Sequence, residues 1–408
     1  MPHQHVIRAL PRAAPRCRAA CRLSDEEWMR RAVILAERGR RTTAPNPWVG
    51  SIIVDEDGET ALAEGYHVKA GGPHAEAAAL ADAASKGVPA DALRRATMYV
   101  TLEPCHAGPG KRTPPCDEAI IASGIRRVVV AQADPDPDFG GAGVEALRIA
   151  GVEVTVGAGA ALAAASLEPY LHQRRHRRPF CVVKTAVSID GAVACADGSS
   201  RWITGPEARA EAHRLRALSQ AVVVGSGTAL RDEPQLTVRA EGMPWATEGC
   251  DGAEPLVPLR VVLDSAGLVT AGPLMEQKDA PTLMLTTAAG QEAAGAAWDR
   301  AGVEHEAVGV RPGGGLDLRA VVESLGRRRV MQAMFEGGPT LHGSLLAAGL
   351  ADQLHVYVGN CLLGSTALPW ARAPIAATIA DKQEWSLRSA DVFGQDARLI
   401  YARATTDG

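Results

Sequence analysis

Apolar positions recur with a helical period at Trp28, Val33, Ile34 and Leu35, directly behind Ser24-Asp25-Glu26-Glu27. This pattern predicts a helix opened by a capping box and closed at Gly39, so that the packed part of the chain starts near residue 23. Residues 49–55 and 60–66 read as strands joined by Asp55-Glu56-Asp57-Gly58, a hairpin signal. An alanine-rich helix over 74–86, a strand over 96–102, a helix over 116–123, a strand over 127–132, a helix over 144–150 and a strand over 152–156 follow. Alternation of this kind predicts a three-layer α/β domain. An alanine-rich helix over 158–172 then runs into Arg174-Arg175-His176-Arg177-Arg178-Pro179, and Phe180–Val187 opens a second set. Strands are expected at 221–225, 259–264, 282–286, 303–308, 330–336 and 353–358, with helices near 206–218, 290–300, 317–327 and 340–348. That is a second α/β domain, and the expected division is 1–22 as a leader or tail, 23–172 and 177–408. Residues 240–256, rich in Gly, Pro and acid, read as a surface loop, and there is no internal repeat.

Composition narrows the function classes. The 408 residues carry 43 Lys+Arg against 47 Asp+Glu, a net charge of -4. A surface built throughout to neutralise phosphates is thereby excluded, and no nucleic-acid partner is expected. No apolar run approaches the ~20 residues of a membrane-spanning helix, so no membrane partner is expected and the protein reads as soluble. Eight cysteines, at 17, 21, 105, 116, 181, 195, 250 and 361, are too scattered for a disulfide scaffold, which points to a reducing compartment. Residues 1–22 hold five arginines and no acid. They read either as a transit peptide, giving an organellar (plastid) destination, or as an unstructured tail on a cytoplasmic protein. The basic run at 174–178 reads as a solvated linker, with phosphate binding as the alternative. A homo-oligomer is left open.

The sharpest chemistry lies in Pro73-His74-Ala75-Glu76 at a helix start, Thr101-Leu102-Glu103-Pro104-Cys105 after a strand, and Pro114-Pro115-Cys116 before a helix. One imidazole and two thiolates give three zinc ligands, and three protein ligands leave the fourth position open for water, as in catalytic sites. Residues two apart diverge inside a helix, so His74 and Glu76 converge only at the first turn, where Pro73 places them. Cys116 also sits in a first turn, whose free N–H groups stabilise a thiolate. Glu76 is then the acid/base that carries a proton from water to the leaving nitrogen, and the whole is a zinc deaminase signature.

With Ala44-Pro45-Asn46-Pro47-Trp48-Val49-Gly50 and Glu64-Gly65-Tyr66-His67, these segments resemble the deaminase half of the bifunctional riboflavin-biosynthesis deaminase/reductase family, over residues 24 to about 160. The resemblance implies a cytidine-deaminase-like three-layer domain, with Asn46 and His67 contacting the pyrimidine. It departs from the family in one respect: ten residues separate Cys105 from Cys116, about two more than is usual there. Lys184–Gly191, Ser200–Gly205, Gly225-Ser226-Gly227-Thr228, Asp232–Arg239 and Phe335-Glu336-Gly337-Gly338-Pro339-Thr340 are similar to the family's reductase half. That half implies a dihydrofolate-reductase-like α/β domain using NADPH. By resemblance, Ala186, Trp202, Thr228, Asp232, Ser265, Gly338, Pro339, Thr340, Leu341, His342, Gly343 and Ser344 fall at cofactor positions. Ser200, Arg216, Leu236, Arg239 and Glu336 fall at substrate positions, and an arginine pair suits a ribose phosphate. The paired glycines entering a helix offer a pyrophosphate seat, but they are not the Gly-x-Gly-x-x-Gly fingerprint, which disfavours a Rossmann dehydrogenase.

The family's reaction is deamination of 2,5-diamino-6-ribosylamino-4(3H)-pyrimidinone 5′-phosphate, then reduction of its ribosyl group to ribityl. One reading against two working sites is a chain in which only one domain is active and the other is structural or regulatory. Another is a nucleoside- or tRNA-type deaminase fused to an unrelated domain, for which the near-neutral charge supplies no groove.

Overall fold

The computed structural model describes residues 22–107, 115–136, 140–241, 243, 245 and 252–403. The expected leader, save Arg22, and most of the long loop between Cys105 and Cys116 lie outside these residues. Helix α1 (Asp25–Glu37) begins with the expected capping box: the Ser24 hydroxyl accepts from the Glu27 N–H, and the Glu27 carboxylate accepts from the Ser24 N–H at 2.8 Å. Gly39 stands directly after its cap, as expected, but not in a left-handed conformation. The helix caps at Arg38, and Gly39 is small for another reason, since a Cβ there would stand 2.2 Å from the His67 carbonyl oxygen.

The chain continues through β1 (Gly50–Val54), β2 (Ala61–Tyr66), α2 (Ala75–Ser85), α3 (Ala90–Leu93), β3 (Thr97–Val100), α4 (Cys116–Ser123), β4 (Arg127–Val130), α5 (Ala142–Ile149), β5 (Glu153–Val156), α6 (Ala160–Ser166) and α7 (Glu168–His176). The five strands form one sheet in the order β2-β1-β3-β4-β5; β1 runs antiparallel to β2 and β3, and β3, β4 and β5 are parallel. Alternate residues of one strand enter opposite cores. Ile53, Met98 and Val128 pack in the cluster that holds Trp48, Ile120 and Leu147, whereas Ile52, Tyr99 and Val129 pack with Trp28 and Met29 of α1. That two-sided burial is the expected three-layer architecture.

The second half comprises β6 (Phe180–Val187), β7 (Ala192–Ala194), α8 (Pro206–Ala217), β8 (Ala221–Gly225), α9 (Ser226–Asp232), β9 (Leu259–Leu263), β10 (Thr282–Thr286), α10 (Ala288–Arg300), β11 (Glu304–Ala307), α11 (Leu318–Arg327), β12 (Gln332–Gly337), α12 (Pro339–Ala347), β13 (Gln353–Val358), β14 (Leu368–Pro369), β15 (Trp385–Phe393) and β16 (Asp396–Arg403). Nine strands form a sheet in the order β11-β10-β9-β8-β12-β6-β13-β16-β15, parallel up to β13 and antiparallel beyond it. The closing hairpin β15–β16 and the short α9 were not among the expected elements. The parallel strands read as near-continuous apolar runs because both faces are covered, with Val223 and Phe335 in one core and Val222 and Val262 in the other.

The run at 174–178 is not a solvated linker. Helix α7 extends to His176, and the Arg178 guanidinium forks onto Asp352, ahead of β13, with both contacts at 2.7 Å. Met331, just before β12, packs in the core of the first sheet. No helix among the described residues is long and apolar enough to cross a membrane.

Candidate functional site

Helix α2 has His74 as its N-cap, in extended backbone, and Glu76 in its first turn. This is where side chains two residues apart can face one space. The helix lies close on β2 because Gly65 has no side chain: a Cβ there would stand 2.3 Å from the Ala79 nitrogen and 2.7 Å from the Ala75 carbonyl oxygen. Cys105 arrives on the loop after β3. That loop is pinned by Glu103, whose buried carboxylate accepts from the N–H groups of Asp134 at 3.2 Å, Gly141 at 2.9 Å, Gly143 at 3.0 Å and Val144 at 3.2 Å. A carboxylate at the start of α5 meets unsatisfied donors and the positive end of the helix dipole. Cys116 opens α4, and the N–H groups of Cys116 and Asp117 donate to the Cys105 carbonyl at 3.0 and 3.3 Å, which ties the two cysteines together.

The three donors converge. His74 Nδ1 lies 3.5 Å from Cys105 Sγ and 3.4 Å from Cys116 Sγ, and all three atoms lie within 4.8 Å of one another. Bonds of about 2.3 Å to sulfur and about 2.0 Å to nitrogen at a tetrahedral angle give N···S edges of about 3.5 Å, so the trio fits zinc in both spacing and donor chemistry. Hydrogen bonds from Cys116 and His74 hold the Cys105 thiol far below its ordinary range, while the same sharing and burial push Cys116 up. Glu76 is 3% exposed, within hydrogen-bond reach of Cys116, and burial raises its carboxyl above the usual range. Among the described residues no other His/Cys/Asp/Glu cluster has this geometry.

A cavity of about 510 Å³ opens on His74, Glu76 and Cys105, and Asn46 and His67 stand on its wall. His67 Nδ1 faces the Pro73 carbonyl at 2.8 Å, an acceptor only, so Nδ1 carries the hydrogen. Burial keeps the ring neutral, and Nε2 therefore accepts from the Asn46 amide nitrogen at 3.1 Å. Asn46 is thereby oriented with its carbonyl oxygen uncommitted to His67.

A second cavity, about 1300 Å³, lies at the carboxyl ends of β6, β8, β9 and β12, where open α/β sheets bind ligands. Its volume suits a dinucleotide together with a substrate. Ala186, Trp202, Thr228, Asp232, Ser265, Gly338, Pro339, Thr340, Leu341, His342 and Ser344 line it, as do Ser200, Arg216, Leu236, Arg239 and Glu336. Gly343 does not: it packs against residues 372–373, where a Cβ would stand 2.6 Å from the Arg372 carbonyl carbon. Gly337 has φ +121°, a conformation that favours glycine, and Gly338 caps α12, leaving the first-turn N–H groups of Thr340 and Leu341 at the cavity. Trp202 is 69% exposed on the wall, with the Arg209 guanidinium 4.4 Å and the Arg201 guanidinium 6.0 Å from its ring.

One arginine of the pair expected to fork a phosphate is committed within the protein, whereas Arg239 is exposed on the cavity wall and donates from Nη2 to the Gln235 side chain at 3.2 Å. Arg216 forks onto Glu336, with Nη2 at 2.6 Å from Oε2, and its Nη1 donates to the Thr237 carbonyl at 3.0 Å. Three of its five N–H donors are thereby engaged. Against burial, which raises it, Arg216 and Lys184 hold the Glu336 carboxyl at about 2. Lys184 lies on the same wall, and burial lowers its ammonium from the ordinary range. Sequence reasoning assigned Lys184 no role, although a lone cation inside the apolar strand Phe180–Val187 is the signal that marks it. Glu103, likewise unassigned, carried no signal beyond its place before Pro104-Cys105.

Residues 23–132 match the family described as the cytidine and deoxycytidylate deaminase zinc-binding region, and residues 179–398 match the RibD C-terminal domain. The riboflavin biosynthesis protein RibD of Chlamydia pneumoniae is 40% identical over 376 residues, 92% of this chain and 94% of that protein. Its Escherichia coli K12 counterpart is 39% identical over 384 residues, 92% and 99% respectively. The chain belongs to the RibD family. It is a riboflavin-biosynthesis enzyme that joins a zinc-dependent deaminase to an NADPH-dependent reductase, two consecutive steps in one polypeptide. Solved structures agree. Acinetobacter baumannii RibD, form 1, superposes with a TM-score of 0.79 at 35% identity, covering 93% of this chain and 99% of that one. A diaminohydroxyphosphoribosylaminopyrimidine deaminase/5-amino-6-(5-phosphoribosylamino)uracil reductase from Thermotoga maritima gives 0.77 at 31%, with the same coverage. The fold is therefore a cytidine-deaminase-like domain followed by a dihydrofolate-reductase-like one.

Proposed function

We propose that the first cavity deaminates 2,5-diamino-6-ribosylamino-4(3H)-pyrimidinone 5′-phosphate and that the second reduces the ribosyl chain of the deaminated product to ribityl. The observation that supports this most is the meeting of His74, Cys105 and Cys116, with Glu76 beside them, at a cavity that His74, Cys105 and Glu76 line and whose wall carries Asn46 and His67. Zinc bound by His74, Cys105 and Cys116 supplies the Lewis acidity that makes water nucleophilic at neutral pH. Glu76 takes the proton of the attacking water and returns it to the departing amine nitrogen, which leaves as ammonia. Asn46, held by His67, orients the pyrimidine edge.

NADPH supplies the hydride of the second step. The start of α12 and the wall from Thr228 to Asp232 seat the dinucleotide, Trp202 offers a stacking face, and Gly343 contributes packing behind them. Lys184, Glu336 and Arg216 form the buried charged floor that orients the opened ribose, with C1′ toward the hydride. Residues 23–172 and 177–408 are proposed as the two domains, in a reducing compartment that keeps Cys105 and Cys116 available as zinc thiolates and Cys181, Cys195 and Cys361 free of disulfides.

The test is zinc analysis together with ammonia release and NADPH oxidation by the full chain given the diaminopyrimidine ribosyl phosphate. One zinc per chain and both activities are expected. In a Cys105→Ala/Cys116→Ala variant, zinc and ammonia release should vanish while NADPH oxidation with deaminated substrate persists. Full zinc retention in that variant contradicts the assignment.

A further inference from the structure

Three arginines from outside the zinc-binding motifs stand on the wall of the first cavity: Arg174, Arg177 and Arg329. Arg174 is engaged. Its guanidinium lies 5.0 Å over the Tyr170 ring and its Nε is 3.9 Å from the Asp136 carboxylate. Arg177 and Arg329 differ. Both are exposed, where Glu76 and Cys116 are buried, so they mark the mouth of the cavity. Neither has a side-chain hydrogen bond or ion pair among the described residues. The acids nearby are already engaged: Glu103 by four backbone N–H groups, Asp134 by the Tyr170 hydroxyl and Asp136 by Arg174.

The backbone adds an independent observation. Arg177 caps α7 at φ +57°, and Arg329, in the turn between α11 and β12, sits at φ +60°. Both positions favour glycine, yet both carry arginine. An outlier of this kind points to a role for the side chain. The two turns are brought together by Gly326 at the end of α11, where a Cβ would stand 2.3 Å from the Arg177 carbonyl oxygen. Arg177 directly follows α7 at the junction of the two halves and Arg329 lies well inside the second, so the junction and the second half build this rim.

We propose that Arg177 and Arg329 receive the 5′-phosphate of the deaminase substrate, so that the reductase half completes the deaminase site. Two exposed guanidinium groups on the wall of one cavity suit a dianion that stays in water while the pyrimidine reaches the floor. The proposal rests on the deaminase reading above.

The experiment compares kcat/KM for ammonia release from the diaminopyrimidine ribosyl 5′-phosphate and from its dephosphorylated nucleoside, in the full zinc-loaded chain. Each charge-assisted contact corresponds to about tenfold. Wild type should therefore prefer the phosphate by about 100-fold, and Arg177→Ala or Arg329→Ala should each lose about tenfold on the phosphate, through KM, and nothing on the nucleoside. NADPH oxidation with deaminated nucleotide should not change. Arg329→Lys should recover part of the loss. Arg329→Gly should lose the preference as Arg329→Ala does while its melting temperature holds or rises, which a purely structural role for this left-handed position cannot give. Equal losses on both substrates, or a full phosphate preference in the double variant, overturn the proposal while leaving the deaminase in place. No ammonia from either substrate with wild type overturns the deaminase reading and this proposal with it.

Discussion

Glu336 shows how one side chain changes the reading of another. With a side chain 10% exposed, it is ionised because Arg216 meets it with both ends of its fork, and Lys184 adds a second positive charge. Removing one partner of a buried pair leaves the other charged and desolvated, at a cost of about 3–5 kcal/mol. Arg216→Ala should therefore lower stability by about that amount in denaturant titrations and abolish NADPH oxidation, while a variant as stable as wild type would contradict the pairing. The zinc trio was legible in the sequence because its residue types carry the chemistry themselves. The fate of Arg216 was not, since a motif gives the side chain and not the partner that takes up its donors.

Elements set the site by how closely they pack. Ser24 was legible as a cap because a capping box is local, and Ser24→Ala should cost about 1 kcal/mol without touching either activity, as thermal melts and both assays would show. Gly65 acts at longer range. A methyl there meets the backbone of α2 at 2.3 Å, so Gly65→Ala should displace the helix that carries His74 and Glu76 and weaken zinc retention and ammonia release together. Undiminished zinc content in a folded Gly65→Ala chain contradicts that coupling. The apolar strands β8, β9, β10 and β12 were readable because burial on both faces leaves long runs of Val, Leu and Ala. Strand β15 was not, because at the sheet edge apolar Leu387 and Val392 are exposed while Ser389 and Asp391 are half-buried, so residue type does not follow burial along it. The basic run at 174–178 misled for a related reason: charge alone does not distinguish a solvated segment from one whose arginines fork onto Asp352 or line a cavity.

For the whole molecule, acid should act through histidines as well as carboxylates. His355 of β13 is buried, and burial together with Arg398 pushes its ring down to about 3. Its folded value lies below the unfolded ~6.5, so the unfolded chain takes up the proton first, and stability falls as pH drops through that window. Between pH 7 and pH 5 this one ring accounts for about 2 kcal/mol. His355→Gln should accordingly gain about that much on wild type over the same interval in denaturant titrations, and parallel pH curves would contradict it.

The two cavities use unrelated chemistry on separate sheets, so each should work when the other is disabled. Glu76→Gln tests it most directly. Ammonia release should fall by about 10² to 10⁴, the share of a general acid/base, with zinc still bound. Given the deaminated ribosylaminouracil phosphate, the same protein should oxidise NADPH at the wild-type rate. Loss of both activities from folded, zinc-loaded Glu76→Gln protein would contradict two independent sites in one chain.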